Sequence, residues 1–164
     1  MPPRLRLAEA HDTYGIQRLI AEVYGEYDCR LDVEHDEPYL QNPASYFRQS
    51  GGELWVVSDE GEVYASGAVF LHANAAELKT LYVHRDLRRQ GWGRRLVQLA
   101  IEHAQSCGRR QLILWSDTRF LDAHRLYTNM GFLQTGKREL RDSNNSVEYG
   151  FELALSETID ESCS

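Results

Sequence analysis

The 164 residues specify a single mixed α/β sheet with helices packed on its faces. Strand-like and helix-like periodicities follow one another as strand, one or two helices, three strands, helix, strand, helix, two strands, which is the pattern of that architecture. No internal repeat, low-complexity tract or long linker divides the chain. Residues 1–155 therefore read as one domain, and 156–164, "SETIDESCS", as a polar, acidic, flexible tail. Hydrophobic residues make up 42% and charged residues 26%, a globular balance in a chain long enough to bury one substantial core.

The elements justify themselves in order. "RLRLA" (4–8) alternates Leu5 and Leu7 with arginines, as a half-buried strand does. In "HDTYGIQRLIAEVYGEY" (11–27), Ile16, Leu19, Ile20 and Val23 fall at helical spacing, with Asp12 or Thr13 as the natural N-cap. Residues 28–52 are weakly patterned, contain two prolines and read as a loop with a short helix. "ELWVVSDEGEVYASGAVFLHAN" (53–74) is a hairpin turning at Glu60-Gly61. "AAELKTLYVH" (75–84) is a further strand. Strict alternation puts Glu77, Lys79, Leu81 and Val83 on one of its faces and Leu78, Thr80 and Tyr82 on the other. Leu96, Leu99, Ala100, His103, Ala104 and Cys107 define a helix of about 15 residues. "QLILW" (111–115) is a buried strand, and "DTRFLDAHRLYTNMG" (117–131) a helix stopped by Gly131. "FLQTGKREL" and "SVEYGFELAL" close the sheet as an antiparallel pair.

Composition removes several functions. A formal charge of −7 argues against a nucleic-acid partner, which needs a net basic face. The N-terminus lacks the apolar run of a signal peptide, and nowhere do 18 apolar residues follow one another, so neither secretion nor a membrane partner is expected. Cys29, Cys107 and Cys163 are odd in number and show no metal-ligand or redox spacing. Reduced thiols and a cytoplasmic location are expected, with no metal.

Against that acidic background "RRQGWGRR" (88–95) stands out between a strand and a helix. It is not a P-loop, which needs four residues between its glycines and then Gly-Lys-Ser/Thr. It is not a dinucleotide fingerprint either, because Leu96 occupies the third glycine position. It still has the makings of an anion site: unpaired amides at a helix N-terminus, two glycines that admit close approach, and Arg88, Arg89, Arg94 and Arg95 to pair or screen charge.

"ELKTLYVHRDLRRQGWGRRL" resembles the acetyl-coenzyme-A signature of the GCN5-related N-acetyltransferase (GNAT) family, with its core at Arg88, Arg89, Gln90, Gly91, Trp92 and Gly93. A second family motif follows in "AHRLYTNMGF", with Ala123, Leu126, Tyr127, Gly131 and Phe132 in place. The resemblance is firm from about residue 53 to 153. It implies the GNAT fold: α/β, one mixed and mostly antiparallel sheet, a splayed central strand pair, and helices on both faces. Acetyl-CoA is the implied co-substrate, its pyrophosphate on the backbone from Arg88 through Arg94 and its pantetheine arm along Leu81, Tyr82 and Val83. The Val83 amide matches the family's donor to the thioester oxygen, and Tyr127 its proton donor to sulfur. Glu77 has the spacing of the family's catalytic glutamate, with Tyr82, His84 and His72 as other candidates for the base. One departure is Phe120, where the family often has asparagine; Ser116, Asp117 or Thr118 could substitute or cap the helix.

The resemblance implies acetyl transfer to a primary amine of a small molecule or peptide in a ternary complex, and leaves a homodimer open. Residues 26–37, "EYDCRLDVEHDE", carry six acidic side chains against Arg30, which would favour a cationic acceptor if this loop rims the cleft. The competing function is a coenzyme-A-binding regulatory module that docks a partner protein.

Overall fold

The computed structural model describes residues 2–157. The strands are β1 (Arg4–Leu7), β2 (Glu53–Asp59), β3 (Glu62–Leu71), β4 (Ala76–Val83), β5 (Gln111–Asp117), β6 (Leu133–Glu139) and β7 (Val147–Ala154). The helices are α1 (Thr13–Gly25), α2 (Pro43–Gln49), α3 (Trp92–Ser106) and α4 (Leu121–Asn129). The sheet runs β1-β2-β3-β4-β5-β7-β6, and every neighbouring pair is antiparallel except β4 and β5. This is the expected mixed architecture. The expectation for the tail from residue 158 onward lies outside the described residues.

Local chemistry explains the joins. The β2–β3 hairpin turns through Glu60 at φ 50° and Gly61 at φ 83°, the doubly left-handed turn that matches the twist of paired strands. Gly131, at φ 96°, ends α4 where a side chain would resist that conformation. Period-2 alternation in β2 sends Leu54 and Val56 to one core and Trp55 and Val57 to the other. The first core lies under α1 and α2, with Ile16, Ile20, Leu40, Phe47 and Ala68. The second lies under α3 and α4, with Leu96, Val97, Ala100, Leu78, Leu112, Tyr127 and Phe151 among its members.

Two expectations are corrected. Asp12 precedes α1, yet its buried carboxylate does not cap the helix. It instead accepts two hydrogen bonds of 2.8 Å from the Arg6 guanidinium and one of 2.8 Å from the Glu9 amide. The turn from β1 into α1 is thus fixed by a charge pair. Among the cysteines, Cys29 is a free thiol, but Cys107 is disulfide-bonded, against the expectation of reduced thiols. The expectation for Cys163 lies outside the described residues.

Burial alone would push the Asp12 carboxyl up. The Arg6 and Glu9 hydrogen bonds outweigh it and hold the group below the usual carboxylate range. A carboxyl lowered in the folded state stabilises above its unfolded value, about 4, and loses that contribution as pH falls through the folded value. Asp12→Ala should therefore cost about 2–3 kcal/mol at pH 7 by urea unfolding, since Arg6 and the Glu9 amide lose their acceptor. The gap between wild type and variant should narrow as the titration is repeated toward pH 3.

Candidate active site

β4 and β5 pair in parallel at only two positions, Ala76 with Leu112 and Glu77 with Ile113, and then separate. The separation coincides with one extra residue in β4. Opposite β3, Ser66 pairs with Tyr82 and Ala68 with Lys79, so two β4 residues, Thr80 and Leu81, face Gly67 alone. Thr80 takes φ 59°, a left-handed conformation that β-branched residues rarely adopt. Two bonds hold it there: Ser66 Oγ donates to the Thr80 carbonyl at 2.7 Å, and Thr80 Oγ1 lies 3.0 Å from the Tyr39 hydroxyl.

The bulge corrects the face assignment made from alternation. Before it, Ala76 and Leu78 belong to the α3 core; after it, Leu81 and Val83 do. Tyr82 packs against the α1 core, and Lys79 places its ammonium 4.9 Å from the centre of the Tyr39 ring on that same side. Glu77 and Lys79 therefore share their face with Tyr82, not with Leu81 and Val83.

The split opens a cavity of about 300 Å³ between the two strands. Glu77, Leu81, Tyr82 and Tyr127 line it, as do Phe120, Leu114 and Trp115. Val83 and the turn 88–94 lie beyond its end. His84 donates its amide to Tyr64, which turns the adjacent Val83 amide to the other edge of β4, toward the split. The turn reaches the cleft through Gly93: a Cβ there would stand 3.2 Å from Leu126 Cδ2 and 3.9 Å from Val83 Cγ2. Gly93 thus brings together the glycine turn, the end of β4 and the helix that carries Tyr127.

In the turn itself Gly91, at φ 87°, opens α3, and no side chain caps the helix. The first amides of α3 have no partners within the helix and carry the positive end of its dipole. Arg89, Arg94 and Arg95 are exposed. Arg88 is not available as expected: its guanidinium forms two 2.7 Å bonds with Glu26, and its Nε donates to the Val83 carbonyl at 3.0 Å. Its amide is engaged as well, donating to the Arg85 carbonyl at 3.4 Å.

Tyr127 is buried against Phe132 and Phe151, and among the described residues nothing hydrogen-bonds its hydroxyl. Burial pushes its pKa up, so the group stays protonated through the neutral range. Glu77 holds His72 Nε2 at 2.9 Å and sits at the closed end of the split. His84 lies outside the cavity, its Nδ1 accepting the Asp86 amide and its Nε2 3.1 Å from Glu22. Phe120 packs its ring against Tyr24, Tyr27 and Tyr82, giving that wall an apolar surface. Asp117 does not cap α4; it accepts the Arg119 amide in the preceding turn.

The acidic loop only partly meets its expectation. Glu26 is committed to Arg88, and Asp32 accepts the His35 amide. Its far end does reach the cavity, where Asp36 and Glu37 are joined by Glu77, Asp117, Asp142 and Glu148, against Lys79 and Arg138. Sequence reasoning missed Glu37 as an individual. Its carboxylate accepts the Tyr24 hydroxyl at 3.0 Å, and that hydroxyl lies 3.3 Å from the Tyr82 hydroxyl.

A sheet divided at a parallel pair, with a glycine turn opening a helix at the end of the first strand of that pair, is the arrangement that the resemblance to the GNAT family implies. Residues 16–132 match the model of the acetyltransferase (GNAT) family, and the chain belongs to that family. YjgM, an N-acetyltransferase of Escherichia coli strain K12, is 28% identical over 136 residues, covering 79% of this chain and 81% of that one. Human N-acetyltransferase 8 is 33% identical over 99 residues, 57% of this chain and 44% of that one. A GNAT-family acetyltransferase from Staphylococcus aureus Mu50 superposes with a TM-score of 0.78 at 20% identity, over 90% of this chain and 98% of that chain. YncA of Salmonella typhimurium, solved with acetyl-CoA, gives 0.73 at 17% identity over 96% of each. Acetyl-CoA is the co-substrate of this family. Among the described residues no cluster of His, Cys, Asp and Glu could hold a metal ion, and no helix is long and apolar enough to cross a membrane.

Proposed function

We propose that the chain moves the acetyl group of acetyl-CoA to the primary amine of a cationic small molecule or peptide, by direct attack in a ternary complex. The observation that carries the cationic preference is the cavity wall, six carboxylates against two basic side chains, with the turn that opens α3 outside that lining. Arg138 is moreover bound to Glu148 at 2.7 Å and stacked 4.3 Å from the Trp115 ring, so it offers little repulsion to a cation. The acidic cavity wall and the positive helix start outside it suit two substrates, a cationic amine and an anionic coenzyme.

The backbone from Arg88 through Arg94 would hold the pyrophosphate, since Gly91 has open space around its Cα and the helix-start amides lack partners. Leu81, Tyr82 and Val83 would hold the pantetheine arm along the exposed edge of β4, with the Val83 amide donating to the thioester oxygen, where charge develops during attack. Tyr127 would give its proton to the departing sulfur. Its raised pKa does not disable it, because the same desolvated cleft makes a thiolate more basic too. A free hydroxyl lining the cavity favours this reading over a regulatory module, which has no use for an acid there.

Tyr127→Phe should lower kcat about 100-fold while leaving acetyl-CoA affinity within about twofold, read by thiol release and by calorimetric titration of the coenzyme. Equal turnover would remove Tyr127 as the acid. Asp36→Asn keeps an acceptor for the Ser143 amide but removes a charge from the wall. It should raise KM about 3- to 10-fold for spermidine and leave KM for a neutral-bodied amine nearly unchanged, the gap closing in high salt.

A further inference from the structure

The cavity contains a directed hydrogen-bond chain that the family motifs do not include. The loop after α1 is tied to the β6–β7 loop: the Arg30 amide donates to Asn144 Oδ1 at 2.9 Å, Asn144 Nδ2 donates to the Arg30 carbonyl at 2.8 Å, and the Ser143 amide donates to Asp36 at 3.1 Å. These ties hold Glu37 over the split. Its ionised carboxylate can only accept, so the Tyr24 hydroxyl gives it its proton. The Tyr24 oxygen is then left to accept from Tyr82 at 3.3 Å. The order is Tyr82 to Tyr24 to Glu37. Tyr82 stands on β4 one residue before Val83.

We propose that Glu37 is the terminal proton acceptor of acetyl transfer, reached from the acceptor amine through the Tyr82 and Tyr24 hydroxyls. This rests on the acetyltransferase reading above. In the step, the ammonium gives one proton to the Tyr82 oxygen as Tyr82 passes its own to Tyr24 and Tyr24 passes its own to Glu37. The neutral amine nitrogen then bonds to the thioester carbon. As the C–S bond breaks, its electron pair leaves with sulfur, which takes a proton from Tyr127. The second nitrogen proton restores Tyr127, and Glu37 releases the first to solvent. One amide, one thiol and one proton result.

The surroundings suit the task. Burial pushes the Glu37 carboxyl up to about 7, with Asp36 beside it and Asp142 from the β6–β7 loop in the same sense. The Tyr24 bond and the Lys79 ammonium act in the opposite sense. Tyr24, Tyr39 and Tyr82 are all pushed upward by burial, so each stays neutral and can relay a proton without holding it. A base working near pH 7 is matched to accept from an amine; a cation anchor would need no such adjustment. Glu77 is placed worse, because His72 occupies its carboxylate where the strands are still paired.

The test is kcat against pH from 5.5 to 9, with saturating acetyl-CoA and spermidine, kanamycin, L-lysine or a tetrapeptide as acceptor. Wild type should show an acidic limb bending near 7. In Glu37→Gln, which keeps an acceptor for Tyr24, that limb should vanish and kcat at pH 7.5 should fall about 100-fold, with coenzyme affinity retained. Tyr24→Phe, which keeps Glu37 but breaks the relay, should lower kcat about as far as Glu37→Gln does and remove the same limb. A limb that survives Glu37→Gln, or that Glu77→Gln removes instead, overturns the proposal. If no amine is acetylated, the acetyltransferase reading fails, and a carboxyl carbon NMR titration decides the site alone. A resonance titrating near 7 and missing from Glu37→Gln supports the acceptor, and titration in the ordinary carboxylate range overturns it.

Discussion

β4 keeps its antiparallel ladder with β3 along nearly its whole length, but its parallel ladder with β5 for only two residues. Both cannot continue once an extra residue enters β4, because the bulge bends the strand and increases its twist. The cost is a threonine in a left-handed conformation, on the order of 1–3 kcal/mol. The Ser66 and Tyr39 bonds to Thr80 offset it. In return the sheet gains an edge in its middle, with the Val83 amide turned toward the gap and side chains from both faces converging on one cavity.

The turn and the cavity divide the electrostatics. At the turn, a helix start and exposed arginines concentrate positive potential in a chain that is acidic overall. In the cavity, carboxylates from the α1–α2 loop, β4, β5 and the β6–β7 region converge. The Arg88–Glu26 pair links the turn to the segment that leads into the acidic loop. It removes one cation from the anion site and fixes where that loop begins.

Most of the fold was legible because it is written in local signals. Glu60-Gly61 demands its turn, Gly131 its helix stop, and the spacing of Leu96, Ala100 and Ala104 its buried face. The glycine turn and Tyr127 were legible for another reason: two motifs in the right order resemble a known family. What could not be read depends on partners distant in sequence. Asp12 looks like a cap until Arg6 is seen to claim it. Arg88 looks like a phosphate ligand until Glu26, 62 residues away, is in place. Alternation misassigned β4 because nothing in "ELKTLYV" marks Thr80 as a bulge. Glu37 was one acid among six until the loop's ties to Ser143 and Asn144 placed it against Tyr24.

The bulge also sets how this chain can vary in length. The loops after α1 and between β6 and β7 can gain or lose residues at modest entropic cost, and their reach into the cavity would change by degrees. β4 has no such latitude. Removing one residue near Thr80 would restore a two-residue period. Leu81 and Val83 would stay on the α3 side and Tyr82 on the α1 side, but the bend that parts β4 from β5 would go. A deletion there would be a discrete event, letting the two central strands pair on and closing the gap between them in one step.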